Sequence, residues 1–529
     1  MPSDCISYQS SGYFTPLIVD YLDQKENLKP LYNRFPTVEN FKHQIDEKQA
    51  NYNHGFRQVL VNELEKQYKS TEASRLTHQN IALLKEDNTF TITTGHQLNL
   101  FTGPLYFLYK IVSAINLAKE LKQAYPDYNF VPVYWMATED HDFEEINYFN
   151  FRDKKIKWPR ESAGPVGRLS TDGLDEVLDA FSKELGMGDN ATYLKSLFEK
   201  AYLSHNNLAD ATRYLANELF GQQGLVILDG DSAEFKKLFT PHVKEELLHQ
   251  TSHTKVEETA TLLQDYNIQV NPREINLFYI EDNLRERIIL LDGIYHINNT
   301  ELKFTEAEML DILERHPEKF SPNVIMRPLY EEVILPNLCY IGGGGEIAYW
   351  LELKSYFESA NITFPILLIR NSVLLTTQKR ADKLDKLGLS WADIFSKQQD
   401  LVNRQVQSFS EFELDFTEQK EHLKQQFEKL AAMAKKTDAS FTGAVQAQQA
   451  KQLKGLENLE KKLLRAEKKK HAEQLERITS LQNELFPSQS LQERKANFSE
   501  FYLEHDGKLI ESLLSRLKPL EHEFNVIIL

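Results

Sequence analysis

Thr93, Gly95 and His96 form a T-x-G-H pattern at the end of an alternating apolar segment, Phe90-Thr91-Ile92. These residue types at such a junction suit an anion. A glycine lets the backbone approach a ligand closely, and an imidazole supplies a hydrogen bond to a phosphate or an activated carboxylate. Thr94 and Gln97 flank the turn, and Thr102-Gly103-Pro104 then opens a long apolar-striped helix. The unpaired N–H groups and positive dipole end of that helix favour negative charge. Four residues are a weak signal, and an ordinary strand-turn-helix junction reads the same way.

A second cluster, Asp140-His141-Asp142-Phe143-Glu144-Glu145, follows the apolar segment Val131–Ala137. In parallel sheets ligands bind just outside the carboxyl ends of strands, so its position matters as much as its composition. Such a cluster can bind a metal, orient an amine or act as a general base. The plainer alternative is a helix start, with Asp140 as cap and Glu144 favouring the dipole, although capping does not require His141. A third cluster joins Ser321-Pro322-Asn323 and Arg327-Pro328 to Gly342-Gly343-Gly344-Gly345-Glu346. Four successive glycines imply a sharp turn or a close approach to a ligand. Glu346 and Tyr349 would start a helix there. Arg327, expected between strand residues, could fix a carboxylate or phosphate bidentately. A flexible turn and a buried ion pair are the alternatives.

The elements that must position these clusters read as α/β up to about residue 375. Apolar runs at Thr89–Thr94, Phe130–Ala137, Leu225–Leu228 and Phe364–Ile369 predict strands of a mostly parallel sheet, with helical patterns between them. Leu105, Leu108, Val112 and Ile115 stripe the helix after Gly103. Segments 151–220 and 273–305 read as connecting insertions. The second predicts an antiparallel meander over Leu277–Ile280, Arg287–Leu291 and Ile294–Ile297, turning at Asp292-Gly293, as an insertion or an edge extension of the sheet. Residues 376–486 read as a helical arm of two coiled-coil-like helices. One carries Phe416, Leu423, Phe427 and Leu430, the other Leu456, Leu459, Leu463 and Ala466, with a turn and cap at Thr437-Asp438. Its basic run, Lys461 to Lys470, is interrupted by glutamates and reads as a solvated face. Residues 487–529 are expected to return to the core as helices and an apolar tail.

Composition narrows the class. The chain has 529 residues, 41% hydrophobic and 26% charged, with a net charge of −17 that disfavours nucleic acid as a partner. Two cysteines, Cys5 and Cys339, suit a reducing compartment and exclude four-thiolate zinc. No leader or membrane span is expected, which points to the cytoplasm. A G-x-S-x-G elbow is missing, and no Lys-Ser/Thr follows the glycines, so serine-hydrolase and P-loop readings fail.

Thr93-x-Gly95-His96 resembles the motif that nucleotidyltransferases and class I aminoacyl-tRNA synthetases place after their first Rossmann strand. Over nearly its whole length the chain resembles the BshC family of bacillithiol biosynthesis. The resemblance rests on the run from Thr94 to Tyr106, Asp140–Glu145, Ser321-Pro322-Asn323, Arg327-Pro328, Gly342–Tyr349 and Leu491-Gln492-Glu493-Arg494. It implies a Rossmann-like core with connecting insertions, a C-terminal antiparallel coiled-coil arm and a homodimer through that arm. It also implies a ligase that joins cysteine to the amine of glucosaminyl-malate, with ATP-Mg activating the carboxylate as an adenylate. In that scheme Thr93, Gly95 and His96 line the nucleotide or activated carboxylate, with Asn99, Tyr106 and Lys110 nearby. Asp140, His141, Asp142 and Glu144 hold the amines or take a proton, and His96→Ala or Asp142→Ala abolishes activity with the fold intact. Asn323, Arg327 and the Gly342–Gly345 loop bind malyl carboxylates or phosphate. The chain departs from the synthetase pattern in lacking a Lys-Met-Ser-Lys-Ser loop, for which Arg370-Asn371-Ser372 and Lys379-Arg380 are the nearest basic candidates and neither fits, and in lacking a Cys/His zinc set. Another small-acid-activating enzyme on the same core and a non-catalytic dimeric scaffold are the competing readings.

Overall fold

The computed structural model describes residues 4–437 and 439–529, so the cap expected at Thr437-Asp438 lies partly outside the described residues. The chain divides into two compact units. One is built by the chain up to Leu375 together with Leu491–Leu529, the other by Thr376–Ser490.

The first unit is organised by five parallel strands in the order Ile366–Ile369, Asn337–Gly342, Thr89–His96, Asn129–Met136 and Val226–Asp229. Numbered along the chain, these run 5-4-1-2-3 across the sheet. The chain winds outward in both directions from Thr89–His96, so the order reverses between that strand and Asn337–Gly342. A crevice opens at such a point because the two flanking crossovers leave in opposite directions. The strands are buried on both faces, and Phe90, Ile92, Leu338, Ile341, Ile366 and Leu368 share one core with Leu117 and Leu121 of the Tyr106–Ala124 helix.

A polar thread also runs through this core. Thr91 and Thr93 donate to Asn337 Oδ1 at 3.2 and 2.9 Å, Asn337 Nδ2 donates to Glu332 at 2.5 Å, and Lys48 Nζ meets Glu332 at 2.6 Å. Both charged side chains are buried. Breaking a buried pair by removing one partner strands a charge in a low-dielectric interior. Lys48→Met is therefore expected to cost about 3–5 kcal/mol in urea unfolding, most of which Lys48→Met combined with Glu332→Gln, which removes the charge and keeps an acceptor for Asn337, should recover.

The meander is a separate five-stranded antiparallel sheet, Lys303–Thr305, Ile294–Ile297, Leu284–Leu291, Leu277–Glu281 and Phe320–Pro322 in spatial order, not an edge extension of the parallel one. Its hairpin turns at Asp292 and Gly293, both with positive φ, as Asp-Gly turns require. After Leu491 the chain forms helices Phe498–His505 and Lys508–Arg516 and ends as a strand, Glu523–Ile528. That strand lies between Asp4–Ser7 and Ser372–Thr376 in a three-stranded sheet.

The second unit is helical, with helices at Gln398–Phe409, Thr417–Ala434, Ala439–Lys470 and Ala472–Leu485. Thr417–Ala434 and Ala439–Lys470 form an antiparallel pair: Phe427 and Ala434 pack with Val445, and Lys420 meets Glu460 at 2.6 Å. The seam differs from the expected stripe. Leu430 and Leu459 are 43% and 54% exposed, and Leu463 instead packs with Val406, Leu414 and Leu475. A seven-residue repeat drifts around a straight helix, which moves positions off the seam. Among the described residues no helix is long and apolar enough to cross a membrane.

Candidate active site

At the crevice between Thr89–His96 and Asn337–Gly342 lies a cleft of about 420 Å³. Its wall includes Gly95, His96 and Gln97 from the end of one strand, Tyr340 and Gly343 from the end of the next, and Trp135, Ala137 and Asp140 from the third. Tyr106 and Lys110 enter from the helix after Gly103, Arg327 and Glu331 from the helix Arg327–Ile334, Gly345, Glu346 and Tyr349 from the helix Gly344–Leu351, and Arg370 and Arg494 from either side of the arm in sequence.

His96 sits against the rings of Tyr106 and Phe107 at 5.4 and 5.1 Å, and its Nε2 is buried without a hydrogen-bond partner. Burial, with Lys110 and Arg370 nearby, pushes its imidazole well below the ordinary value. At neutral pH it is an uncharged hydrogen-bonding group aimed into a polar cleft. Lys110 Nζ donates to Gly95 O at 2.7 Å and pairs with Glu346 at 2.6 Å. Glu346 also accepts from Tyr340 Oη and from the Gly343 N–H, both at 2.9 Å, so its carboxylate reaches back to the N-terminus of its own helix. Close packing accounts for one member of the glycine run, Gly342. None of the four takes a positive φ, so no sharp turn is made. A Cβ at Gly342 would instead lie 2.9 Å from Glu346 Cβ and 3.0 Å from the Tyr340 ring.

Asp140 does not cap a helix. Its carboxylate is gripped by Arg327, with Arg285 Nη2 at 3.8 Å. Burial alone would raise this carboxyl, but Arg327 and Arg285 outweigh it and hold the group below the usual carboxylate range. Arg285, from the antiparallel sheet, also donates to His141 Nδ1 at 2.6 Å and lies over the Phe278 ring. Burial pulls this guanidinium down to about 10. Arg327 is the first residue of a helix, not part of a strand, with Pro328 in the first turn where its missing N–H costs nothing.

The remaining expected residues lie elsewhere. Thr93 belongs to the core polar thread, and Thr94 Oγ1 donates to Ile341 O at 2.7 Å across the sheet. Asn323 Oδ1 accepts from the Ile325 and Met326 N–H groups, while its amide donates to Asn276, so it shapes the turn into the Arg327 helix. His141 and Asp142 are exposed and outside the cleft lining. Gly342 and Gly344 also lie off it, Gly344 facing Phe14 and Ile18. Asn99, Gly103 and Glu144 line an adjoining recess of about 450 Å³ that shares Gln97, Tyr106 and Arg494 with the cleft. Glu144 is paired there with Lys157 at 2.9 Å, and Asn99 Oδ1 is buried without a partner.

The turn before that recess is strained: Phe101 and Thr102 have φ of 47° and 69°, and Gly103 has φ 62°, ψ −133°, open only to glycine. Asn497 holds it by donating to Phe101 O at 2.8 Å and Gly103 O at 2.6 Å. A Cβ on Gly103 would stand 2.6 Å from Asn99 Cβ. Gly103→Ala is therefore expected to lower stability by about 1–3 kcal/mol, read as a drop in the thermal midpoint.

Arg370, Arg285 and Glu331 escaped the sequence reading as site residues. Arg370 is buried and paired with Glu493 at 2.7 Å, stacks over Tyr106 at 5.2 Å, and has Nε unpartnered. The Leu491-Gln492-Glu493-Arg494 segment was the available signal for it. No group of three or more His, Cys, Asp or Glu among the described residues is arranged to hold a metal ion.

Comparison with known proteins accords with this arrangement. The model of the bacillithiol biosynthesis BshC N-terminal Rossmann-like domain matches residues 1–371, and that of the BshC C-terminal coiled-coil domain matches 373–529. Similar proteins bearing the name "Putative cysteine ligase BshC" occur in Flavobacterium johnsoniae, 64% identical with 100% of both chains covered, and in Flavobacterium psychrophilum, 62% identical with 100% and 99% covered. A relative of the same name from Cytophaga hutchinsonii is 39% identical over 97% of this chain and 96% of its own. With both family models matched in order and relatives aligned end to end, the chain belongs to the BshC family of bacillithiol biosynthesis.

Proposed function

We propose that this protein is a carbon–nitrogen ligase that joins the carboxyl group of cysteine to the free amine of glucosaminyl-malate, forming bacillithiol in the cytoplasm. One observation carries the reading: at the crevice of the parallel sheet, His96 and Arg370, each with an orphaned polar atom, line one cleft with Arg494 and the Lys110–Glu346 pair, in a chain whose relatives bear the name putative cysteine ligase. Amide formation from a free carboxylate needs an activated acyl group and a neutral amine. Arg370 Nε, and His96 Nε2 in the tautomer that carries the proton there, are donors without internal partners, suited to an oxygen that gains negative charge as the carbonyl is attacked.

ATP-Mg as co-substrate, with cysteine activated as an adenylate, is part of the same proposal. The donor set fits phosphate, since Arg494 and Arg370 both line the cleft and Arg370 Nε has no internal partner. Bound there, the nucleotide supplies the leaving group that makes the carboxyl reactive. The cleft and the adjoining recess, sharing Tyr106 and Gln97, give room for two substrates side by side. The arm is proposed to hold two copies together, a role suited to Leu430 and Met433, exposed on one helix. Light scattering of the full chain reads that state.

The decisive experiment incubates purified protein with cysteine and glucosaminyl-malate, with and without ATP-Mg, and follows product by mass spectrometry. Bacillithiol formed only with ATP-Mg is the expected result. No product under either condition would overturn the ligase reading.

A further inference from the structure

Three carboxyl side chains line the cleft, and two are already committed. Asp140 is held by Arg327 and Arg285, and Glu346 by Lys110, Tyr340 and the Gly343 N–H. Glu331, in the middle of the Arg327–Ile334 helix, is 3% exposed, and its Oε1 has no hydrogen-bond partner. The two nearest cations, Arg327 and Lys110, are spoken for by Asp140 and Glu346. A buried carboxyl oxygen facing a cleft without a partner carries a desolvation cost that the fold itself does not offset.

We propose that Glu331 is the ammonium subsite of this cleft: its carboxyl binds the primary ammonium group of a substrate and is the site's complement to positive charge. The proposal rests on the ligase reading, in which both substrates bring such a group. The surroundings define how the subsite works. Burial, with Glu332 on its own helix and Glu346 on the next, pushes the Glu331 carboxyl well above the ordinary value, against the opposing pull of Arg327 and Lys110. The phenols of Tyr340 and Tyr349, also facing it, stay neutral because burial raises both. Burial therefore favours the neutral form of the Glu331 carboxyl until an amine binds. An arriving ammonium supplies the missing cation, the carboxyl ionises, and one proton passes to solvent for each ligand bound. The ion pair then holds the amine beside the polar atoms of the cleft. The acids and histidine of the Asp140–Glu144 segment are less suited to this work: Asp140 is doubly paired, and Asp142 and Glu144 have side chains 59% and 74% exposed.

The test is calorimetric titration of the full chain in buffers of different ionisation enthalpy, which counts protons released on binding. Cysteine is compared with 3-mercaptopropionate, and glucosaminyl-malate with the analogue bearing a hydroxyl in place of the amine. Wild-type protein is expected to release about one proton with an amine ligand and none with its amine-free counterpart. Whichever pair shows the difference names the substrate that Glu331 holds. Glu331→Gln, which mimics the protonated carboxyl and so keeps the fold, should abolish the release and weaken the amine ligand by about 10–100-fold, leaving the amine-free one unchanged. Glu331→Asp should restore part of the release. Equal release and affinity in wild type and Glu331→Gln would overturn the subsite while leaving the ligase reading intact. Failure of wild-type protein to bind either amine would overturn both.

Discussion

Arg370→Met should lower the unfolding free energy by about 3–5 kcal/mol and, on the proposed reading, eliminate measurable ligase turnover. The guanidinium donates to Glu493 at 3.1 and 2.7 Å and to Asn371 O at 2.9 Å, all in buried surroundings. Glu493 in turn accepts from the Val373 N–H at 3.0 Å and from Ser372 Oγ at 3.3 Å. Removing Arg370 alone leaves a buried carboxylate facing an apolar thioether. Arg370→Met with Glu493→Gln removes that charge and keeps an acceptor for the Val373 N–H. Its urea midpoint should return most of the way to wild type, whereas turnover should not, because Arg370 Nε is still missing from the cleft. Full recovery of turnover in the double variant would show that the arginine acts only through the fold.

His96→Ala should reduce turnover by about 10²–10³-fold with the circular dichroism spectrum unchanged. The imidazole is held neutral by its surroundings, so its role is to offer a hydrogen bond at Nε2, and the pH–rate profile should show no step from it between about pH 6 and 8. The same shift makes a stability prediction. The unfolded chain takes up a proton at this histidine below about pH 6.5 while the folded chain does not, so stability falls as pH falls through that value. The loss is about 1.4 kcal/mol per unit of pH below it. His96→Gln lacks this term, and its stability relative to wild type should improve by about 2 kcal/mol between pH 7 and pH 5. An unchanged difference across that range would mean that His96 takes up its proton at the same pH in the folded and unfolded chain.

What could be read from residues alone follows their separation along the chain. The strands Thr89–His96 and Asn129–Met136 were legible because a strand buried on both faces reads as an apolar run, and the Asp-Gly hairpin because two residues define it. Asn337–Gly342, the other wall of the crevice, does not read as a strand from its residues. Its run is short and begins with an asparagine whose side chain serves the core polar thread. Pro328 made Arg327 look extended, although proline is at home in a first helical turn. The pairings that decide the site's electrostatics, Arg327 with Asp140 and Arg370 with Glu493, join residues 187 and 123 positions apart. No local period reports such a partnership. Glu331 was hidden for a related reason, since one glutamate in the amphipathic run Leu329-Tyr330-Glu331-Glu332-Val333 looks solvent-facing, although it is buried at the cleft.

The residues that complete the core unit are synthesised on both sides of the arm. Asn497 clamps the strained turn at Phe101–Gly103, Glu493 holds Arg370, and Glu523–Ile528 lies between two strands from the earlier part of the chain. During translation the first 375 residues therefore wait, with the crevice unfinished, while the intervening segment emerges. That segment pairs helices adjacent in sequence and can fold early by local contacts, whereas the core must close loops of several hundred residues. The segment made second is then the first to fold, and the segment made first is completed last. Pulse-labelled hydrogen exchange during refolding should show the arm's amides protected first and those of Thr89–His96 acquiring full protection only with Glu523–Ile528.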